Sequence, residues 1–353
     1  MDLNERKLKI LQAIIRDYVQ TAEPVGSRTL SKKYDLGVSP ATIRNEMSDL
    51  EDMGFLTHPH TSAGRVPSEK AYRLYVNEMM TKRDLSQDQK DRIAHELYDN
   101  VTELNQTIEH AANVLSEITN LMAFAMTPNE EHETIKFIQF LPVDENTIVL
   151  MIVSEDGKVQ NNAFRVNCDY DDDMLKILSK SMTYDYKGKT ISEALTGDII
   201  TTFNTDIEAM QNIQRNVMPS FMRTLEKMLD AHLYMDGLMN IFNIPEYSDI
   251  DRAKMFMELI NKKDDFKKKL IERDDGLIIT IGTENQDEDM KDVSLITATY
   301  KVDGRTVGKL GVIGPPRMRY DNITSVIDYI TDNLSSTFKM IGGDGPDDGD
   351  EDG

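Results

Sequence analysis

Ser39, Ala41, Thr42, Arg44 and Asn45 stand close together in the stretch SPATIRNEMSDLEDMGFL, residues 39–56. These are side chains that can read duplex DNA. Asparagine can hold adenine through two hydrogen bonds, arginine can do the same with guanine, and alanine or threonine methyls can meet thymine. Such contacts need a helix that offers its first turns to a major groove. A second group follows in PHTSAGRVPS, where Thr61, Ser62 and Arg65 suit phosphate oxygens and Arg65 also suits a narrow minor groove. Ser27, Arg28 and Thr29, at the start of a preceding helix, complete the candidate DNA-facing set. Each group also has a plainer reading. The first is equally a solvated helix face behind a Ser-Pro cap, and the second a polar loop with one solvated arginine.

The elements that would position these residues are legible in the pattern. Asn4 caps a helix with apolar residues at Leu8, Leu11, Ile15, Tyr18 and Val19. AEPVGS breaks it, Ser27 caps a short second helix, and DLGV turns tightly at Gly37. Ser39, with Pro40 behind it, starts a third helix whose buried stripe is Ile43, Met47 and Leu50. Gly54 ends that helix, a hairpin with an Ala63-Gly64 tip follows, and Ser68 caps the next helix. Two helices, a tight turn, a further helix and a hairpin make the order of a winged helix-turn-helix.

Charge supports placing polyanion contact there and nowhere else. The whole chain carries a formal net charge of −22, which argues against nonspecific nucleic-acid binding. Residues 1–83 hold 13 Lys/Arg against 11 Asp/Glu, whereas the remainder holds 27 against 51. One cysteine, Cys168, rules out a disulfide framework within the chain and fits a reducing cytoplasm. The longest apolar run, Ile148 to Val153, is far too short to span a bilayer. No H-E-x-x-H, P-loop, G-x-S-x-G or cysteine cluster occurs. The expectation is therefore a protein that is not an enzyme and uses no cofactor or metal. His58 and His60 form an H-x-H pair without further ligands at a useful spacing, and exposure or wing contact fits them better.

Beyond the first module, residues 84–125 read as a long helical connector. Three strand candidates follow, TIKFIQFL, TIVLMIV and VQNNAFRV, the last two joined at Asp156-Gly157. Residues 170–275 read as mainly helical, with one amphipathic helix carrying Val217, Phe221, Leu225, Met228 and Leu229. The stretch YMDGLMNIFNIPEY is ambiguous and leaves room for a short strand. GLIITIG, VSLITATYKV and TVGKLGVIG are further strands, with a turn at Asp303-Gly304, before a final helix through Leu334. Six strands interrupted by a helical insert imply one discontinuous α+β domain. The methionines of the insert, Met210, Met218, Met222, Met228, Met235 and Met239, fill a core or form an adaptable interface.

The stretch GVSPATIRNEMSDLEDMGFLTHPHTSAGRVPSEKAYRLYV resembles the signature of the HrcA family, the heat-inducible transcription repressors of bacteria, and GPPRMRYDNITSVIDYI resembles that family's C-terminal motif. The resemblance implies a multidomain α+β chain: a winged helix-turn-helix DNA-binding domain at 1–83, the connector at 84–125, and a GAF-like domain split between 126–169 and 276–341. An inserted dimerisation domain would fill 170–275. The tail at 342–353 is an extra feature beside that pattern, and its Gly/Asp-rich acidic composition predicts disorder. It further implies a homodimer on a double-stranded inverted-repeat operator of the CIRCE type, regulating chaperone genes, with the GroE chaperonin keeping the repressor active. The dimer contact is expected from the insert, at Phe221, Leu225, Met228 and Leu229. Two other readings remain open: a winged-helix regulator whose GAF-like domain senses a small molecule, and an enzyme whose catalytic groups leave no motif.

Overall fold

The computed structural model describes residues 3–59, 64–98, 104–127, 133–155, 157–196, 208–302 and 305–342. The chain falls into two compact units, Met1–Thr127 with Leu233–Gly353, and Pro128–His232. It is a mixed α/β protein with three separate sheets.

The first unit opens with α1 (Glu5–Thr21), α2 (Ser27–Lys33) and α3 (Pro40–Asp52). Asn4 caps α1 by accepting from the Lys7 N–H at 2.9 Å, and Ser39 caps α3 by accepting from the Thr42 N–H at 3.1 Å. Each cap satisfies an N–H that the first helical turn leaves unpaired. At α2 the expected cap differs: Gly26 holds the cap position without a side-chain bond, and Ser27 is already helical. α2 therefore starts one residue earlier than the sequence pattern suggests, behind an extended Gly26. β1 (Leu56–Thr57) pairs antiparallel with β2 (Val66–Pro67), and α4 (Glu69–Leu74) follows, capped by Ser68.

Next come α5 (Gln87–Tyr98), α6 (Leu104–Thr119) and β3 (Met122–Met126). The connector is therefore not helical throughout. Asn120, at φ +53°, stops α6 in the left-handed conformation that asparagine tolerates, and MAFAM becomes a strand. That strand lies between two neighbours and is buried along its whole length, so it lacks the alternation that marks a half-exposed strand.

The second unit holds β4 (Ile135–Asp144), β5 (Thr147–Ser154) and β6 (Val159–Arg165), then α7 (Asp172–Tyr186), α8 (Ile191–Thr196) and α9 (Glu208–Leu229). Its three strands form a sheet of their own, in the order β4-β5-β6. The inner face, with Ile138, Phe140, Ile148, Leu150 and Ile152, packs on Leu175, Leu178, Phe221 and Leu225 of the helices. β4 is an edge strand, and α7 covers that edge with hydroxyls. Ser179 Oγ accepts from the Phe140 N–H at 2.9 Å, while Thr183 Oγ1 accepts from the Ile138 N–H and donates to its carbonyl.

The chain then returns to the first unit with β7 (Leu233–Asp236), α10 (Ile250–Asn261), α11 (Lys263–Ile271), β8 (Ile278–Ile281), β9 (Ser294–Val302), β10 (Arg305–Gly314) and α12 (Tyr320–Gly342). Its sheet runs β7-β3-β10-β9-β8, antiparallel throughout. Ala123, Ala125, Leu310 and Val312 face a core shared with Ile323, Val326 and Ile327 of α12 and Leu115 of α6. On the other face Phe124 meets Phe266 edge-on at 5.6 Å, and buried Lys309 donates to the Leu270 carbonyl at the end of α11.

The six expected strands do not share one sheet. β4–β6 pair only with one another, and the sheet of β8–β10 is completed by β3 and β7. The compact insert accordingly begins at Pro128 and ends at His232 instead of spanning 170–275, and α10 and α11 belong with the first unit. Alternation identifies a strand but says nothing of its partner. Asp156, the turn at 303–304 and all but the first residue of the expected tail lie outside the described residues.

Ser179→Ala should leave the Phe140 N–H buried without an acceptor. A loss of about 1–3 kcal/mol is expected in urea unfolding of the second unit. An unchanged midpoint would show that α7 does not seal this edge.

Candidate nucleic-acid interface

α3 is amphipathic in a way that sorts its charges. Ile43, Met47 and Leu50 are buried, and so is Glu46. A carboxylate facing a core needs cations, and α1 supplies them. Lys7 Nζ lies 2.6 Å from Glu46 and 2.8 Å from Asp49, and Arg6 stands 3.5 Å from Glu46. The carboxylates of Asp49 and Glu46 raise the Lys7 ammonium above its usual pKa. Position 46 sits three residues from Ile43, so the stripe itself flags an inward acid in need of a partner.

With that carboxylate turned inward, the opposite face of α3 exposes Ser39, Ala41, Arg44, Asn45 and Ser48. Thr42 is half-buried, and its hydroxyl lies 3.0 Å from that of Ser39. The exposed face therefore runs through Ala41, Arg44, Asn45 and Ser48, at helical spacing; Ser48 was missed because serine at that position marks no chemistry. Arg28 and Thr29 are exposed on the first turn of α2, with Ser27 half-buried beside them.

The hairpin is anchored more tightly than its sequence suggests. Val25 and Arg65 exchange both backbone hydrogen bonds at 2.9 Å, adding the α1–α2 loop to the β1–β2 ladder. Gly64 makes this approach possible, since a Cβ there would lie 2.6 Å from the Pro24 carbonyl carbon. Arg65 does not stand free. Its Nε donates to Glu51 at 2.7 Å and its guanidinium lies 2.8 Å from His58 Nδ1, with 22% of the side chain exposed. The structure thus brings Arg65 to the C-terminal end of α3, and no motif signals that contact. Thr61 and Ser62, with His60 and Ala63, lie outside the described residues.

The insert residues expected at a dimer contact are placed otherwise. Phe221, Leu225 and Met228 are fully buried within the second unit, and Leu229 packs partly against the same core. Their stripe is apolar because it faces β4–β6, so it offers no surface to a second chain. The other face of that sheet is left open and carries apolar side chains. Phe137 and Leu141 on β4 and Val159 on β6 are exposed, with half-buried Val149 and Met151 between them. In the register Leu141 pairs Val149, and Met151 pairs Gln139.

Among the described residues no group of His, Cys, Asp and Glu could hold a metal ion, and no helix is long and apolar enough to cross a membrane. Burial, then neighbouring Asp169, pushes the Cys168 thiol above its usual pKa, against a reactive thiolate.

The family model described as "HrcA protein C terminal domain" matches residues 105–324. The heat-inducible transcription repressor HrcA of Clostridium tetani (strain Massachusetts / E88) is 42% identical over 341 residues, covering 96% of this chain and 97% of its own. Its counterpart in Alkaliphilus metalliredigens (strain QYMF) is 39% identical over 340 residues, covering 96% and 99%. A solved structure described as the crystal structure of a hypothetical protein at 2.2 Å resolution shares the fold, with a TM-score of 0.65 at 21% identity over 96% of this chain and 99% of that one.

Proposed function

The chain belongs to the HrcA family of heat-inducible transcription repressors, and from that premise we propose that it binds an inverted-repeat DNA operator as a dimer. It is a repressor and not an enzyme. The observation that carries the DNA reading is the outer face of α3, which shows Ala41, Arg44, Asn45 and Ser48 while Glu46 points inward. In this reading α1–α3 with β1 and β2 form a winged helix-turn-helix, and α3 enters the major groove. Arg28 and Thr29 would meet phosphates beside it. The five-stranded sheet, with α6 and α12 on one face, suits a GAF-like domain.

An inverted repeat demands a two-fold relation between the two recognition helices. The open face of β4–β6 supports a second copy as the partner, since it carries Phe137 and Leu141 of β4, Val149 and Met151 of β5 and Val159 of β6. In a dissociated chain this same face would be exposed apolar surface, which supports the GroE chaperonin as the factor that maintains the active pool of a cytoplasmic repressor.

Selection of bound sequences from random duplexes tests the whole reading, and should return an inverted repeat. On that operator, Asn45→Ala should cost about 1–3 kcal/mol while leaving nonspecific binding nearly unchanged. Equal affinity for wild type and variant would remove α3 from the groove.

The dimer face has its own test. Leu141→Glu combined with Met151→Glu should give a folded monomer in sedimentation, with operator affinity reduced by roughly 100-fold through lost bivalency. A dimer that survives both carboxylates places the two-fold contact elsewhere.

A further inference from the structure

The helical module and the five-stranded sheet lie in one compact unit, and three sets of polar contacts join them. At α4, Glu69 accepts from the Thr283 N–H at 3.2 Å and from its hydroxyl at 2.5 Å, and Arg73 pairs with Glu284 while donating to the Ile279 carbonyl at 2.6 Å. Gly282 lets that approach happen: its φ is +55°, and a Cβ would sit 1.9 Å from Glu69 Oε1. After α4, the Arg83 N–H donates to Ser325 on α12 at 3.1 Å.

The third set converges on one side chain, in the loop between β10 and α12. Arg317 donates to both carboxylate oxygens of Glu246, at 2.5 and 2.9 Å, and its remaining arm donates to the Val19 carbonyl at 2.6 Å. Val19 is in the last turn of α1, where carbonyls have no helical donor. Arg317 is 13% exposed and Glu246 19%. The loop that presents Arg317 is itself pinned, because the Tyr320 hydroxyl donates to the Pro316 carbonyl at 2.7 Å and the Tyr320 ring packs on Tyr72 of α4. Only a planar guanidinium can satisfy a carboxylate with two parallel bonds and keep a further donor for a carbonyl.

α1 is thus held at both ends. Near its start Lys7 grips Glu46 of α3, and at its last turn Arg317 fastens it to the sheet-bearing part of the chain. A 17-residue helix is about 25 Å long, so a swing of about 10° about one end moves the other by about 4 Å. That exceeds the rise of one base pair, about 3.4 Å.

We propose that Arg317 is a positioning residue for DNA recognition: by fastening α1 it fixes the setting of α3, and so determines which separation of half-sites the dimer accepts. The inference rests on the operator-binding reading above, and it adds a residue far in sequence from the recognition helix to the determinants of specificity.

The test uses the full-length chain on the selected operator, on the same inverted repeat with its spacer lengthened or shortened by one and two base pairs, and on an isolated half-site. Wild type should favour the selected spacer by about 100-fold, the advantage of simultaneous engagement. Arg317→Gln and Glu246→Gln should each reduce that preference to roughly fivefold or less, chiefly by losing affinity at the selected spacer. Both should hold the isolated half-site within about twofold of wild type, which a general loss of folding would not allow. The double variant should be no worse than either single one, because both remove the same contact. A spacing profile as sharp in the variants as in wild type overturns the proposal, and so does a parallel loss on the isolated half-site. A wild type that selects no inverted repeat overturns the operator reading and this inference together, whereas a sharp profile shared by all variants overturns this inference alone.

Discussion

The ion pair between Lys7 and Glu46 is the contact on which the N-terminal module depends. An acidic chain that is to approach a polyanion has to dispose of its carboxylates, and α3 carries four of them, at Glu46, Asp49, Glu51 and Asp52. Glu46 is turned into the core and neutralised there, Asp49 shares the same lysine, and Glu51 is clasped by Arg65. Each pairing also ties α3 to another element, so neutralising the helix and fixing it in place are one event. Partly buried pairs of this kind are worth more as constraints on geometry than as net stability. The cost is that Arg65 is committed to α3 and is not a freely extended wing residue.

Much of this module was legible because its signals are local. The caps at Asn4, Ser39 and Ser68 and the stripe of Ile43, Met47 and Leu50 depend on residues a few positions apart, and the structure places all of them as the pattern requires. Where the pattern misled, the missing information was long-range. Alternation in β4–β6 is real, yet it cannot say that those strands pair among themselves. MAFAM reads as the end of a helix because a strand buried on both faces has no alternation to show. Arg317 lies some three hundred residues from the carbonyl it caps, beyond the reach of any periodicity.

The helical stripe of α9 shows a further limit of pattern reading. Phe221, Leu225 and Met228 were expected at a surface because their spacing is amphipathic, but amphipathicity only says that a face is buried. Here the chain's own sheet buries it. A three-stranded sheet backed by helices on one side has a second face to account for, and that face is the apolar one left open.

Met126, the last residue of β3, stands in register with Leu233, the first of β7. The two strands are antiparallel neighbours, so topologically they are a β-hairpin whose loop happens to be a folded unit. Closing a loop of that length costs only modestly more entropy than closing a short one, and the insert's own fold removes most of that freedom. The sheet therefore tolerates whatever is spliced between these two residues, provided its ends return close together. A short turn from Met126 to Leu233 would leave every ladder bond of β3, β7 and β10 intact, so the parent sheet and its guest can diverge at separate rates.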